Sequence, residues 1–269
     1  MPEGDTVWRT AQRLNQVFAG HTLTQCDLRW PELSTIDFTS HTTTEVISRG
    51  KHLLHRLDSG WTIHSHLRME GQWRIEPPGT RASAQTRALL ATSDWTALGQ
   101  RLGMLHVVRT GAEHTLVGHL GPDVLGPDWN AAIAAHNLGD AADTIGAALL
   151  DQTNLAGVGT MYASESLFMQ RVHPLMSPQH LTDNQLIALV ERAHRLLDHN
   201  RNHAVQSTTG NRRRGETTWV YGRLNQPCRR CGTHAEMTTV GPPTRQRSLY
   251  FCPNCQTAGP TVDQSVTRS

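Results

Sequence analysis

Pro2 is the residue of this chain whose position most directly suggests chemistry, because its ring nitrogen becomes a free secondary amine once Met1 is removed. Proline is compatible with that removal, since the trimming peptidase tolerates small second residues. An α-amino group has a pKa of about 8, against about 10.4 for lysine, so part of it is unprotonated and nucleophilic near neutral pH. Beside the Glu3 carboxylate, such an amine could attack an electrophilic carbon and form an iminium. Met-Pro starts also occur without any role, and the pattern alone leaves both interpretations open.

Four cysteines in the last sixth of the chain have the spacing of a metal site. Cys228 and Cys231 form one Cys-x2-Cys pair, and Cys252 and Cys255 form a second. Each such turn presents two thiolates to one tetrahedral ion, which predicts one zinc ion. Four thiolates leave no open coordination position, so the zinc is expected to be structural. Two disulfides are the alternative, which a cytoplasmic protein disfavours. The remaining cysteine, Cys26, is expected in the core of an early strand.

The net charge is only +2, but the basic residues are concentrated near the C-terminus. This distribution favours a phosphate-binding surface, with a solvated basic loop as the alternative. The small cysteine hairpin needs a metal to fold, and such a module usually serves to hold out one residue. Arg247, on the strand that leads into Cys252, is the candidate. The basic residues concerned are Arg212, Arg213, Arg214, Arg223, Arg229, Arg230, Arg245 and Arg247.

Two further segments could contact an anion. The glycines of Gly157-Val158-Gly159 precede a predicted helix that starts at Thr160, and the amides at a helix start favour an anion. No Walker sequence follows, so DNA phosphate is favoured over a nucleotide cofactor, although the motif is also common in plain tight turns. Lys51 precedes an apolar strand, where it is either a phosphate clamp or proton shuttle, or a solvated strand-edge lysine. His64, His66, Arg68 and Met69 fall on the next strand or its turn.

The length of 269 residues and the ordinary hydrophobic content of 37% indicate a globular protein with two domains or one domain and a module. The sequence has no apolar run long enough for a membrane span and no secretory signal pattern, so the cytoplasm is the expected location.

Periodicity predicts an amphipathic helix over residues 5–18, followed by strands broken by turns up to about residue 120. A helical part follows, and residues 227–257 are expected to form a separate small module. The predicted fold class is α+β multidomain: an N-terminal β-sandwich with a leading helix over 1–122, a helical domain over 123–205, linker and zinc finger over 206–257, and a disordered tail over 258–269. The predicted strands cover 21–30, 43–57, 62–75 and 104–109, and the predicted helices cover 128–137, 143–150, 160–170 and 182–198.

Taken together, these motifs resemble the formamidopyrimidine-DNA glycosylase / endonuclease VIII family. The matching segments run in order through almost the whole chain, and the set is far more specific than any single one. The start of the chain and residues 219–223 look like the actinobacterial endonuclease VIII type 2 branch. The matching segments are residues 1–4, 49–54, 66–71, 119–123, 155–159, 162–168 and 246–251.

The resemblance implies a β-sandwich, a helix–two-turn–helix domain and a zinc-finger hairpin that bind damaged DNA. It implies a bifunctional DNA glycosylase and abasic-site lyase of base excision repair that takes its target base out of the stack. Pro2 would be the nucleophile at the sugar C1′, and Glu3 would protonate the sugar ring oxygen. Lys51 would bridge to phosphate and donate a proton, and Arg247 would grip the flanking phosphates and support the second of the β- and δ-eliminations.

Further residues match DNA-binding positions of that family. His66 and Met69 fall in the matched segment 66–71, where Met69 would fill the void left by the flipped base. Gly159 and Thr160 match the phosphate-binding end of the helix–two-turn–helix, with the difference that relatives carry Asn where this chain has Thr160. The segment 100–104 lacks the family's Arg-Arg-Phe-Gly, so further void-filling residues are not identified.

The resemblance requires only structural zinc, with no nucleotide cofactor and no membrane, and a monomer located with the bacterial nucleoid. Oxidised pyrimidines are favoured over oxidised purines. Two alternatives remain at this point: a non-catalytic protein that binds damaged or abasic DNA, and an unrelated zinc-ribbon nucleic-acid module. The first predicts loss of Pro2, Glu3 or Lys51, which are all present, and the second leaves the N-terminal matches unexplained.

Overall fold

The computed structural model describes residues 2–257 and divides the chain into two compact units, Met1–His119 and Leu120–Ser269. The predicted tail, 258–269, lies outside the described residues, and the domain boundaries expected after 122 and 205 stay predictions. Among the described helices, none is both long and apolar enough to cross a membrane.

The N-terminal unit is a sandwich of two four-stranded antiparallel sheets. The first sheet has the strand order β1-β6-β7-β5 and the second the order β2-β3-β4-β8. The fold class predicted from the sequence, a β-sandwich behind a leading helix, is confirmed for this unit. Its elements are α1 Gly4–Phe18, β1 Gln25–Leu28, β2 Thr43–Arg49, β3 His52–Leu57, β4 Trp61–His66, β5 Gln72–Glu76, β6 Thr86–Ala91, β7 Thr96–Gln100, β8 Met104–Arg109, a 3₁₀ turn Thr110–Ala112 and α2 His114–Val117.

Helix α1 forms where its apolar residues recur at helical spacing, and it buries one face. Val7, Ala11 and Phe18 have no exposed surface, and they share one core with Leu53 and Ile63 of the second sheet. Burial of this stripe holds the start of the chain on the sandwich, because side chains three and four residues apart lie on the same side of a helix.

The C-terminal unit is helical and ends in a two-stranded antiparallel hairpin. Its helices start at clear capping residues: the side chains of Asn130 and Thr144 accept N–H bonds at the starts of α3 and α4, and Thr182 forms a capping box with Gln185. The elements are α3 Ala131–Gly139, α4 Ile145–Leu150, α5 Thr160–Gln170, α6 Asp183–Asn200, β9 Glu236–Val240 and β10 Arg247–Phe251, with 3₁₀ turns at Pro178–His180 and Pro243–Arg245.

The hairpin is packed into the helical part of this unit. Leu249 is fully buried in the helical core, where a Cβ added to Gly146 of α4 would lie 2.7 Å from its Cδ1. The backbone N–H of Tyr250 donates to the Ser164 hydroxyl on α5 at 3.1 Å. The strand that carries the predicted arginine is therefore fixed directly to the helix that starts at Thr160.

Candidate active site and metal centre

The start of α1 fixes the predicted nucleophile and its neighbouring carboxylate. Glu3 is the N-cap residue, in an extended conformation, and its carbonyl accepts the Val7 N–H at 3.0 Å. Its exposed fraction is only 1%, and Pro2 immediately before it is half-buried. Asp5, in the first turn of the helix, is fully buried. The chain start is thus part of the folded unit, with a carboxylate held next to the predicted amine.

Lys51 lies in the two-residue turn that joins β2 and β3. Arg49 pairs with His52 across this hairpin, which leaves only Gly50 and Lys51 to make the turn. Gly50 has a φ of 57°, and a positive φ at the first turn position is the type II′ arrangement that glycine favours. The strand expected over 43–57 is therefore two strands, with the half-buried lysine between them.

Met69 is in a tight loop between β4 and β5, and its exposed fraction of 62% is large for an apolar side chain. Leu67 is buried at the base of the loop, and its carbonyl accepts the Gly71 N–H at 2.9 Å. A Cβ at Gly71 would lie 2.4 Å from that carbonyl oxygen, so only glycine allows the closure. Arg68 adopts a left-handed φ of 54°. This loop holds an apolar side chain out in solvent, as a wedge between bases requires.

A second loop supports the Met69 loop from behind. The Gly103 N–H donates to the His66 carbonyl at 3.0 Å, and Arg101 forms an ion pair with Glu70 at 3.2 Å. Leu102, between them, is 4% exposed and belongs to the sandwich core. Leu102 therefore contributes to the core in this structure, and its loop braces the Met69 loop.

His66 ends β4 directly before this loop. Its Nδ1 accepts the Arg68 backbone N–H at 2.9 Å, so a neutral ring carries its proton on Nε2 and is a hydrogen-bond donor there. Burial, with the positive charges of Arg68 and Lys51, lowers the pKa of His66 to about 4. The ring is therefore neutral at pH 7. The strand register places His66 opposite His52, the residue after Lys51, so these two predicted site residues lie in one region of the unit.

The helix–two-turn–helix consists of α4, the turns over 151–159 and α5. The Gln152 side chain braces the turns: its amide donates to the Leu150 and Val158 carbonyls, and its oxygen accepts the Gly157 N–H. Gly159 is the N-cap of α5, which has no side-chain cap, and Thr160 is the first helical residue at 8% exposure. The Gln152 bonds therefore hold the turn that leads into the start of α5.

The four predicted zinc ligands converge. One Sγ atom from each of Cys228, Cys231, Cys252 and Cys255 lies within 4.8 Å of the others, and all four residues are free cysteines. A set of four thiolates this close together fits one structural zinc ion, as the spacing predicted. The fifth cysteine, Cys26, is half-buried in β1, where burial raises the pKa of its thiol to about 11.

Arg247 is the first residue of β10 and is exposed, opposite Val240 in the hairpin register. The metal ligand Cys252 follows directly after the same strand. The hairpin thus holds an exposed arginine on a short strand anchored at its other end by the metal site.

The predicted site residues therefore fall into two sets. Pro2, Glu3, Lys51, His66 and Met69 belong to the N-terminal unit, and Gly159, Thr160, Arg247 and the four zinc ligands belong to the C-terminal unit.

One organising residue was not assigned a role from the sequence. Glu165, fully buried on α5, accepts hydrogen bonds from the backbone N–H groups of Trp219, Val220 and Tyr221 at 2.8 Å each, and from the Thr208 hydroxyl. It ties the segment between α6 and the finger to the helix–two-turn–helix. The signal available in the sequence was that Glu165 is a lone carboxylate in a segment, now helix α5, that has no other charged residue.

These features define a class of two-unit protein in which a helix-led β-sandwich accompanies a helix–two-turn–helix and a four-cysteine finger. The chain belongs to the formamidopyrimidine-DNA glycosylase family. The family's N-terminal domain matches residues 1–102, its H2TH domain residues 120–211, and the zinc finger found in FPG and IleRS residues 225–258.

Curated relatives match over nearly the full chain. The chain is 47% identical to "Probable endonuclease 8 2" of Streptomyces coelicolor, over 97% of this chain and 95% of that one. It is 44% identical to "DNA-(apurinic or apyrimidinic site) lyase Nei2" of Mycolicibacterium smegmatis, over 96% and 100%. The solved Lactococcus lactis formamidopyrimidine-DNA glycosylase, bound to DNA containing an abasic site, has the same fold, with a TM-score of 0.81 at 22% identity over 96% of this chain and 100% of that one.

Proposed function

We propose that this protein is a DNA glycosylase and abasic-site lyase of base excision repair, and that Pro2 is its nucleophile. The observation that carries the proposal is the full-length similarity to endonuclease 8 proteins and an abasic-site lyase in a chain that retains Pro2, Glu3, Lys51 and Arg247. The alternative of a non-catalytic binder is not favoured, because the residues that such a protein could lose are present.

The reaction begins with attack of the Pro2 nitrogen on C1′ of the damaged nucleotide, and the base departs. Glu3 protonates the sugar ring oxygen and opens the ring, which leaves an iminium on the proline. The iminium acidifies the C2′ proton, and β-elimination cuts the strand 3′ to the lesion. This assignment is supported by the burial of Glu3 at the helix start directly after a half-buried Pro2.

Phosphate contacts come from the turn between β2 and β3, the start of β10 and the start of α5. Lys51 bridges to phosphate and donates a proton, and Arg247 grips the flanking phosphates and supports δ-elimination. Gly159 and Thr160 contribute the helix start, whose amides favour a phosphate. His66 donates from Nε2, and Met69 fills the void left by the flipped base, in keeping with its exposure.

Zinc has a structural role in this proposal. Its four thiolate ligands leave no open position, and the ion provides folding free energy to the hairpin that carries Arg247. The reaction uses this chain's own residues, without a nucleotide cofactor.

The substrate is damaged DNA, with oxidised pyrimidines preferred over oxidised purines. The preference rests on the similarity to endonuclease 8 proteins. The enzyme acts as a monomer in the cytoplasm, at the nucleoid. Cleavage rates on thymine glycol, 5-hydroxyuracil and 8-oxoguanine measure the preference, and faster cleavage of 8-oxoguanine would reverse it.

Borohydride trapping tests the chemistry. Protein from which Met1 has been removed is incubated with abasic-site DNA and borohydride, which reduces an iminium to a stable adduct. We expect one covalent adduct, and mass analysis of the digested adduct should find the DNA on Pro2. Pro2→Gly that cleaves at the wild-type rate, or wild-type protein that forms no adduct, would refute the assignment. Protein that retains Met1 should bind DNA without cutting it.

A further inference from the structure

Four histidines meet on one face of the second sheet of the N-terminal unit. The strand register pairs His52 of β3 with His66 of β4, and His64 of β4 with His106 of β8. Because side chains alternate along a strand, this face is opposite the one on which Ile63 packs in the sandwich core. Only His66 has a role in the proposed reaction.

Three of these rings form a continuous hydrogen-bonded row, which we call the histidine relay: His52, His64 and His106. His52 Nδ1 lies 2.8 Å from His64 Nε2, and His64 Nδ1 lies 3.2 Å from His106 Nδ1. The ring planes are nearly parallel, at 22° and 14° to each other, and the centroids are 5.0 and 5.4 Å apart, so neighbouring rings lie edge to edge along the row. His64, in the middle, has no exposed surface.

The relay can hold its protons in only two ordered patterns. A neutral imidazole has one N–H and one lone pair, so each contact needs a donor on one ring and an acceptor on the next. The N–H groups therefore all point from His52 towards His106, or all point the other way. A change of tautomer at one ring forces a change at the other two: His52 and His64 carry the proton on Nδ1 and His106 on Nε2 in one order, and the positions are exchanged in the other.

The surroundings keep His52 and His64 uncharged. Burial is the main cause that lowers the pKa of His52 to about 3 and that of His64 to about 4, and the other histidines add to it. Arg68 and His119 also face His52, and Lys51 faces His66. The Glu113 carboxylate acts in the opposite direction and raises the pKa of His64. This carboxylate accepts hydrogen bonds from Arg56 at 2.5 Å and from Thr62 at 2.6 Å. Arg56 also contacts Glu45 at 2.6 Å.

The relay ends against two residues of the proposed site. His52 directly follows Lys51, and its ring meets the His66 ring edge-on with the centroids 4.9 Å apart. A charged His52 at this position would disfavour the Lys51 ammonium, because like charges raise the cost of the charged form. A His52 that changes tautomer would alter the edge against which His66 packs.

We propose that the histidine relay is a positioning element of the glycosylase and lyase reaction. It keeps His52 neutral and in one tautomer beside Lys51 and His66, so that Lys51 stays charged for the DNA phosphate and His66 keeps its Nε2–H donor in place. His52, His64 and His106 act through these two neighbours and are positioning residues. The inference rests on the proposed function for its consequences in catalysis, while the proton order itself is a property of the free protein.

Imidazole ¹⁵N NMR spectra of the whole protein test the proton order without any activity. We expect one neutral tautomer at His52 and at His64 between pH 5 and 8, and a tautomer mixture at His52 in His64→Leu. Titration of His52 or His64 near the ordinary histidine value of about 6.5, or a His52 that is indifferent to the substitution, would overturn the proposal.

Cleavage of abasic-site DNA tests the consequence. We expect His64→Leu to lower kcat by about threefold to tenfold, the fold-change that loss of one neutral hydrogen bond corresponds to. His64→Gln should recover most of the rate, because an amide both donates and accepts. His106→Phe keeps an aromatic ring without nitrogen, at the half-buried end of the relay, and should lower kcat similarly even if His64→Leu fails to fold.

The matched control is His55→Leu. His55 is a buried histidine on the same strand as His52, but its ring packs against Phe18 and its Nε2 contacts Thr43 at 2.7 Å. It should keep the wild-type kcat per folded molecule. Wild-type rates in both His64→Leu and His106→Phe, or an equal loss in His55→Leu, would refute the relay. Wild-type protein that forms no borohydride adduct would instead refute the proposed function, and the NMR result would stand on its own.

Discussion

Gly103 lies directly against the side chain of Arg68: a Cβ added at position 103 would stand 2.0 Å from the Arg68 Cγ and 2.5 Å from its Cβ. Both atoms are close to the Arg68 backbone, which has a left-handed φ, so the side chain has little freedom to move away. The loop that carries Met69 and the loop after β7 are therefore fitted to each other at a glycine.

Gly103→Ala should consequently displace the Met69 loop. We expect a loss of about 1–3 kcal/mol in the free energy of unfolding, the usual range for overpacking, measured by denaturant titration. Gly111→Ala is the matched control, because nothing lies within 4 Å of a Cβ at that position. Equal stability of Gly103→Ala and Gly111→Ala would show that Arg68 moves aside freely.

Met69→Ala should impair base removal more than strand cleavage at a preformed abasic site. The side chain is 62% exposed in the free protein, so stability should not change, but the flipped-base complex would lose about 2 kcal/mol of buried apolar contact. That corresponds to a fall of about 10- to 100-fold in single-turnover base excision. Ile133→Ala, at a 51% exposed position in the C-terminal unit, is the control. Equal losses on damaged-base and abasic-site DNA would argue against a wedge.

Thr160→Asn should increase affinity for DNA. Thr160 is the first residue of α5 and offers one hydroxyl, where an asparagine would offer an amide with longer reach. A hydrogen bond to a charged group contributes about 1.5–3 kcal/mol, so the dissociation constant should fall by about tenfold or more. Titrations must be compared at one salt concentration, because phosphate contacts depend strongly on salt. An unchanged dissociation constant would contradict this role for position 160.

Removal of zinc should abolish DNA binding before it unfolds the N-terminal sandwich. The hairpin depends on the four thiolates, and Arg247 depends on the hairpin. Chelation, or Cys228→Ser, should lower the metal content from one ion per chain and remove the borohydride adduct. Cys26→Ala should keep one zinc ion, since Cys26 is in β1 of the other unit. Full adduct formation by zinc-free protein would contradict the structural role of the metal.

Acid should destabilise the N-terminal unit over the pH range between the folded-state and unfolded-state pKa values of its buried histidines. The folded-state pKa values of His52, His55, His64 and His66 lie at about 3, 4, 4 and 4, below the unfolded value of about 6.5. As the pH falls from about 6.5 to 4, the unfolded chain binds protons that the folded chain does not, so the free energy of unfolding decreases. Denaturant titrations between pH 7 and 4.5 should show a smaller decrease in His64→Leu. A decrease identical to that of the wild type would contradict the prediction.

Local signals in the sequence predicted much of the fold. Helix α5 at Thr160–Gln170 and strand β8 at Met104–Arg109 have the bounds that their patterns indicated. Strands β6 and β7 were missed because they are inner strands of their sheet and are buried on both sides, so they lack the alternation that marks a half-exposed strand. Helix α3 begins three residues later than expected, since Asn130 caps it.

The candidate site was predictable where its signal is contiguous. The zinc ligands follow from spacing alone, whereas the roles of Pro2 and Lys51 stay predictions, made from motifs that gain their meaning from the family. The histidine relay was not predictable, because its members come from three strands and only the register brings His64 between His52 and His106. The support of the Met69 loop by Gly103 depends likewise on a contact between two loops that are distant in sequence.

The attachment of the finger to α5 has a consequence for the evolution and engineering of this family. Leu249 is a core residue of the helical part, and the Ser164 hydroxyl accepts the Tyr250 N–H. The finger therefore cannot be exchanged independently of the helices on which it packs. A finger transplanted from a relative would pack against an α5 whose residues are not matched to it. A substitution in β10 should therefore be accompanied in evolution by a matching substitution in α5. Chimeric proteins should fold only when the two segments are transferred together.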